Sequence, residues 1–302
     1  MESLSLEAIR RWYADEVRWA SGVADTRIIS AFASVPRESF LTPGPWHFST
    51  GMMTGTYQVT PNGDLHHLYH NVMVALDPTR ELNTAVPSYM ANVLDLASVK
   101  VGASVAQIGA GLGYYSAIIA HLVGPEGSLL ALEIDPTLAQ RCHHNLSHYQ
   151  NVRCVQGDGG TYPFKRGSLD VLLVHGAATQ VPKVWLDSLK PNGRIVVNFS
   201  YSPDCPGQLT RITRNHDRFL IEFHHEVFAY PCVGMYTEQG AEALQDAVET
   251  YGWYTKSEVR FDLEHLDDSA WLVTPEYWIS MTEPAEAHHL LVTFPESGEP
   301  LS

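Results

Sequence analysis

The chain has 302 residues, 45% hydrophobic and 18% charged, with 34 acidic against 19 basic side chains and a formal net charge of −15. That length suits one large domain, or a principal domain with an appendage, and buries a substantial core. The negative field excludes nucleic acid as the expected partner, because phosphate backbones are bound through clustered cations. Four scattered cysteines, Cys142, Cys154, Cys205 and Cys232, exclude a disulfide framework or a zinc finger. No run approaches the roughly 20 apolar residues of a membrane span, and charges stand where a leader needs an apolar run. A soluble, cytoplasmic protein with no membrane partner is the expectation.

In chain order, the spacing of Leu4, Ile9, Trp12, Val17 and Trp19 among charged residues predicts a helix over 4–20. A second helix is predicted over 25–33, stopped by Val35-Pro36. From 41 to 70 the composition turns to Gly, Pro, Thr and aromatics, with a turn at Pro61-Asn62-Gly63; so long an irregular segment is more often a binding element than filler. Residues 87–97 return to helical spacing.

Residues 104–199 carry the clearest pattern. A short apolar strand, 104–108, leads into Gly109-Ala110-Gly111-Leu112-Gly113 and a helical run from Tyr114. Strand 128–134 is followed by a helix from Pro136, a good first-turn residue, to about His148. A strand near 151–156 enters Gly157-Asp158-Gly159-Gly160, and strand 169–174 precedes a helix near 181–189. Pro191-Asn192-Gly193 turns into a strand from Arg194, and 208–228 predicts a hairpin turning at 215–217. This alternation implies a doubly wound, Rossmann-like α/β sheet, parallel and covered on both faces. After 230 the alternation fails. One helix over 241–252 precedes an aromatic, acidic tail, read as a cap or oligomerisation appendage that frays from about 294. The expected division is 1–80 for N-terminal helices and an acceptor-side loop, 81–230 for the cofactor-binding domain, and 231–302 for the appendage.

Glycines after the first strand let a ligand approach the backbone beside a helix N-terminus. Gly109, Gly111 and Gly113 form Gly-x-Gly-x-Gly, not the Gly-x-Gly-x-x-Gly of a dinucleotide pyrophosphate, which disfavours a nicotinamide oxidoreductase. Glu133 ends the second strand, where a carboxylate accepts from ribose hydroxyls, and Asp158 follows the third, where it accepts from an adenine amine. Each acid alone reads better as a cap or loop residue. Three such elements at successive strand ends specify an adenosine crevice, and adenosine without a pyrophosphate cradle suggests S-adenosylmethionine.

The segments 107–136, 157–160 and 169–197 resemble class I S-adenosylmethionine-dependent methyltransferases, and within them the protein-L-isoaspartate (D-aspartate) O-methyltransferase family. Gly113-Tyr114, Gly176-Ala177-Ala178, Val181-Pro182 and the Val35–Phe40 segment carry the narrower resemblance, which covers roughly 35–230. It implies methyl transfer from S-adenosylmethionine, releasing S-adenosylhomocysteine. The cofactor-binding candidates are Gly109, Ala110, Gly111, Gly113 and Tyr114 at the first turn, Glu133 and Ile134 at the second, and Asp158 and Gly159 at the third. Gln107, His175, Asn83 and Thr84 complete them. Gln107 replaces the family's first-strand acid. Asn83-Thr84-Ala85-Val86-Pro87 matches its Thr-Ile-Ser-x-Pro segment, so Ala85 replaces a serine, and a changed acceptor is the economical reading.

Methyl transfer from a sulfonium needs orientation and desolvation. A carboxylate acceptor needs no general base; a hydroxyl or amine does. His175, at the end of the fourth strand, and Thr84 are the catalytic candidates. The bland readings are a hydrogen-bonded structural histidine and, for Asn83 and Thr84, caps for the helix near Val86. O-methylation of a carboxylate on a peptide or small metabolite is the leading expectation. The alternatives are hydroxyl or amine methylation with His175 as base, and a catalytically silent cofactor-binding protein. His66-His67-x-x-His70 would place two histidines on one helical face, but lacks an identified further ligand, and no metal is expected. Trp271, Tyr277 and Trp278 are read as packing the appendage rather than lining the acceptor pocket. Association of copies through 231–302 is a further expectation.

Overall fold

The computed structural model describes residues 5–49, 56–253 and 257–281. Helix α1 (Leu6–Ser21) starts where Ser5 Oγ accepts from the Ala8 amide and ends at Gly22, with φ 70°. Helix α2 (Thr26–Ser34) is capped by Asp25. They bury Tyr13, Val17, Ile28 and Phe32, one side of each helix. A short hairpin of β1 (His47–Ser49) and β2 (Tyr57–Val59) follows, then the single turn α3 (Leu65–Leu68). A ribbon of β3 (Ala75–Asp77) and β4 (Leu82–Asn83) leads to α4 (Pro87–Ala97). Residues 41–70 are therefore only partly irregular, and 50–55 within them lie outside the described residues.

The alternating region runs β5 (Ser104–Ile108), α5 (Tyr114–Val123), β6 (Ser128–Glu133), α6 (Pro136–Asn145), β7 (Val152–Gln156), β8 (Leu169–Ala178), α7 (Lys183–Ser188) and β9 (Leu189–Phe199). The hairpin of β10 (Gly207–Asn215) and β11 (Arg218–Val227) turns through His216 and Asp217, as its sequence predicts. Helix α8 (Glu238–Tyr251) is followed by β12 (Ser257–Arg260), β13 (Ala270–Val273) and β14 (Trp278–Met281).

One ten-stranded sheet has the order β13-β14-β12-β11-β10-β9-β8-β5-β6-β7. Its parallel half joins β7, β6, β5, β8 and β9, and the strands beyond β9 are antiparallel. The chain reverses direction across the sheet at β5, the switch point at which open α/β sheets bind ligands. One face is covered by α1, α2, α4 and α5, where Phe32 meets the edges of Tyr114 and Tyr115. The other is covered by α7, α8 and the C-terminal aromatics.

The described part of 231–302 continues the main sheet, because β12 pairs with β11 through Ser257–Val259. Trp271, Tyr277 and Trp278 are buried, and the Tyr277 hydroxyl accepts from the Val181 amide at 2.8 Å. They pack this segment onto the sheet and do not reach the cleft. The fraying expected from about 294 lies outside the described residues. No helix among the described residues is long and apolar enough to cross a membrane.

Candidate active site

A cleft of about 800 Å³ opens at the C-terminal ends of β5, β6, β7 and β8. That is the size of a small-molecule site. Its floor is the Gly109-Ala110-Gly111 turn. Gly109 and Gly111 have φ of 78° and 57°, and a Cβ on Gly109 would lie 2.9 Å from the His175 carbonyl oxygen. Glycine is required there by both conformation and space. The Gly111 amide donates to Glu133 Oε2 at 2.7 Å, and the Asp135 amide to Oε1 at 3.0 Å. The Glu133 carboxylate is thus held at the cleft edge, and each oxygen keeps a lone pair for a further donor. Ile134, 40% exposed, gives an apolar shelf next to it.

Asp158 follows β7. Its carboxylate accepts from the Gly160 amide at 2.8 Å and from Thr161 Oγ1 at 3.3 Å, while the residue also lines the cleft. This acid therefore fixes its own loop, as its bland reading expects, and also faces the crevice. Gly159 lies against Ile108, and its carbonyl accepts from Trp185 Nε1 at 2.8 Å.

Two expected cofactor residues stand apart from the lining. Gln107 is fully buried; its Oε1 accepts from Ser116 Oγ at 2.6 Å and its Nε2 lies 3.3 Å from His175 Nδ1. It supports the histidine from beneath rather than facing a ligand. Gly113 is the N-cap of α5, with φ 91°, and a Cβ there would strike Leu146 at 2.8 Å. Its role is close helix packing. Tyr114 does line the cleft, with its hydroxyl 3.1 Å from that of Tyr13.

His175 reaches the cleft from the end of β8, and burial pushes its pKa down to about 4. Desolvation disfavours the imidazolium, so the ring is neutral at physiological pH. Thr84 and Asn83 line the cleft without capping α4, whose N-cap is Val86 with no side-chain bond. Thr84 Oγ1 accepts from the Val74 amide at 3.0 Å, and the Thr84 amide donates to the Val74 carbonyl at 2.8 Å. Asn83 Oδ1 accepts from the Tyr57 hydroxyl at 2.9 Å. Both residues therefore act in positioning the segment. The Ala85 carbonyl is held by the Tyr115 hydroxyl at 2.5 Å.

The opposite side of the cleft also contains residues that sequence reasoning missed. Asn198, at the end of β9, accepts from the Tyr89 hydroxyl at 2.7 Å and donates to the Gly176 carbonyl at 3.3 Å. Residues 230–232 close the wall, where the Ala177 amide donates to Tyr230 and the Cys232 amide to Ala177. Beside Glu133 and Ile134, Arg80 pairs with Asp135 at 2.7 Å. Beneath the β3–β4 ribbon, a strap over the cleft, the buried Arg37 donates to the carbonyls of Leu68, His70 and Val72. Only the family likeness of Val35–Phe40 hinted at Arg37; the others carry no local signal. Away from the cleft, Asp64, His66 and His67 lie together, whereas His70 faces Glu16 at 3.6 Å; the shared face expected for His66 and His70 does not form a cluster.

The family model described as protein-L-isoaspartate (D-aspartate) O-methyltransferase matches residues 15–235. The protein-L-isoaspartate O-methyltransferase of Methanothrix thermoacetophila is 33% identical over 155 residues, covering 50% of this chain and 71% of that one. That of Ignicoccus hospitalis is 29% identical over 206 residues, covering 67% and 85%. A solved protein-L-isoaspartate O-methyltransferase superposes with a TM-score of 0.60 at 18% identity, covering 90% of this chain and 88% of that chain. So wide a cover takes in part of 231–302, which the sequence resemblance did not reach. A Plasmodium falciparum structure described as a relative of the same kind, in complex with S-adenosyl-L-homocysteine, gives a TM-score of 0.57 at 14% identity, covering 74% and 97%. At such identities the likeness is one of fold. The family match extends over most of the chain and includes every strand that builds the cleft floor. The chain belongs to the protein-L-isoaspartate (D-aspartate) O-methyltransferase family and is an S-adenosylmethionine-dependent methyltransferase.

Proposed function

We propose that the protein methylates the side-chain or main-chain carboxylate of an isoaspartyl-type residue in a peptide or protein. One observation carries this reading over hydroxyl or amine methylation: the imidazole at the cleft floor, His175, has a pKa of about 4 and is a poor proton acceptor. A carboxylate is already ionised and nucleophilic at neutral pH, so its methylation removes no proton.

The cleft fits the cofactor by its donor set. Glu133 is aimed by two amides, Gly109 and Gly111 leave the floor without side chains, and Asp158 faces the crevice from the third strand. When bound, S-adenosylmethionine supplies an electrophilic methyl on a sulfonium. This chain's residues orient and dehydrate: Ile134 and Leu138 give apolar walls, and Thr84 locks residues 83–86 to Val74 beside the acceptor opening. Asn198 and Tyr89 offer polar contacts there without adding charge. Ala85 lacks the hydroxyl of the matching family serine, so recognition falls to these neighbours.

The same reading places the protein in the cytoplasm, consistent with four free thiols. Nucleic acid and membranes stay outside the proposed partners. For association of copies, β13, the edge strand of the main sheet among the described residues, is the C-terminal element proposed. The test is transfer of labelled methyl from S-adenosylmethionine to an isoaspartyl peptide, with the aspartyl isomer as control. Base-labile label on the isoaspartyl peptide alone supports the proposal. Cofactor binding with label on neither peptide refutes the acceptor.

A further inference from the structure

A second, smaller recess of about 160 Å³ lies against the acceptor side of the cleft, and Tyr89, Glu226 and Val227 line both. This is below the roughly 300 Å³ at which sites for whole small molecules begin, and is the scale of one side chain. Its remaining walls include Ser88 and Asn92 of α4 and His225 of β11. Tyr89 separates it from the reacting centre. The Tyr89 hydroxyl donates to Asn198, which in turn donates to the Gly176 carbonyl, one residue from His175. A chain carrying an acceptor into the cleft would therefore place a neighbouring side chain over this recess.

Among the described residues, the unpaired charges at the opening are carboxylates without a cationic partner. Glu226 in the recess wall and Glu81 on the strap are exposed, and among the described residues neither carboxylate is in an ion pair or side-chain hydrogen bond. The two arginines that line the cleft are engaged elsewhere, Arg37 with three carbonyls and Arg80 with Asp135. The first-turn amide of Ser88, which would otherwise favour an anion, already donates to Asn71 Oδ1 at 2.8 Å. The whole chain carries a net charge of −15. An acidic peptide is repelled here, and a basic one is drawn in.

We propose that the recess between Tyr89 and Glu226 is a subsite for a lysine or arginine side chain adjoining the methylated residue, so that the enzyme selects carboxylates in basic peptide contexts. This rests on the peptide-carboxylate reading above and adds to it the chemistry of the flanking residue. Glu226 is the specificity-determining residue and touches the flank, not the reacting atoms.

The test uses the full chain and three isoaspartyl peptides that differ only in carrying Lys, Ala or Glu beside the isoaspartyl residue, on each side in turn. Competition binding is measured in the presence of S-adenosylhomocysteine, and kcat/KM with S-adenosylmethionine. Lys is expected to exceed Glu by about three- to tenfold on one side, the scale of a partly exposed charge pair. The preference collapses in Glu226→Gln and inverts in Glu226→Lys, with the Ala peptide as each variant's reference. Equal binding of all three peptides to the wild-type chain overturns the proposal, as does a Lys preference that survives Glu226→Gln. Because binding is read without turnover, a Lys preference without methyl transfer keeps the subsite and defeats the isoaspartyl acceptor instead.

Discussion

The half of the cleft proposed to hold the cofactor is made from residues at consecutive strand ends, whereas the half proposed to take the acceptor is gathered from segments far apart in the chain. Gly109–Gly111, Glu133–Ile134 and Asp158–Gly159 each lie at the C-terminal end of a strand, and backbone amides fix the Glu133 carboxylate. Opposite them, Asn83, Tyr89, Asn198 and Tyr230 line the cleft from the strap, a helix, a strand end and a loop, and Tyr57 of a hairpin holds Asn83. Parallel-sheet geometry dictates the first half, while the second depends on how loops pack. Substitutions should therefore be severe and specific to cofactor in one half, and graded and specific to acceptor in the other.

The largest effect is expected at Gly111. Its φ of 57° is unfavourable for any β-branched residue, and a Cβ there faces Leu76 across the cleft at 3.5 Å. Gly111→Val should abolish S-adenosylmethionine binding in calorimetry, and unchanged affinity would show that the cofactor does not cross this turn. Glu133→Ala comes next. It removes the carboxylate proposed to face the ribose and leaves the Gly111 and Asp135 amides without partners, so binding should weaken by about 1.5–3 kcal/mol, the range for hydrogen bonds to charged groups. Equilibrium dialysis of labelled cofactor checks it. An Ala variant that binds as the wild type would remove Glu133 from the cofactor site.

In the acceptor half the informative change is a gain. Ala85→Ser restores a hydroxyl next to the carbonyl that Tyr115 holds, on a segment already locked by Thr84. Methyl transfer to an isoaspartyl peptide should rise by about tenfold in kcat/KM, equivalent to one hydrogen bond to a charged group. Cofactor affinity should stay within error. A fall in both parameters would mean that Ala85 is required for packing against the cofactor.

The same contrast explains what the sequence disclosed. Strand and helix alternation over 104–199 is periodic, and a carboxylate immediately after an apolar strand has a placement that topology almost dictates. Gln107 and Gly113 belong to the same motif yet serve its interior, since adjacent positions of a strand or turn face opposite sides. The strands β12, β13 and β14 escaped detection because each is only four residues long and is placed by pairing rather than by pattern: β12 joins the main sheet through β11, β14 pairs with β12, and β13 with β14. Asn198 was invisible for a related reason: nothing near it in sequence distinguishes it from other strand ends, and its meaning comes from Tyr89, 109 residues away.

The smallest expected effect on activity is at His175, and it decides whether the acceptor half contains a base. In the native chain its pKa is lowered to about 4, against an ordinary value of 6.5. Between those values the unfolded chain takes up a proton that the folded chain refuses, so this residue makes stability fall as pH drops from about 6.5 towards 4. Above 6.5 both states are neutral and it contributes no pH dependence. His175→Gln should therefore flatten the acid side of the stability curve, by an amount up to roughly 3 kcal/mol at pH 4. Denaturant titrations at several pH values read this directly. In kcat/KM the wild-type profile should show no limb near 6.5 that Gln removes, because an imidazole neutral down to pH 4 does not titrate there. A limb near 6.5 that vanishes in the variant would mean that His175 accepts a proton during turnover, which a carboxylate acceptor does not require.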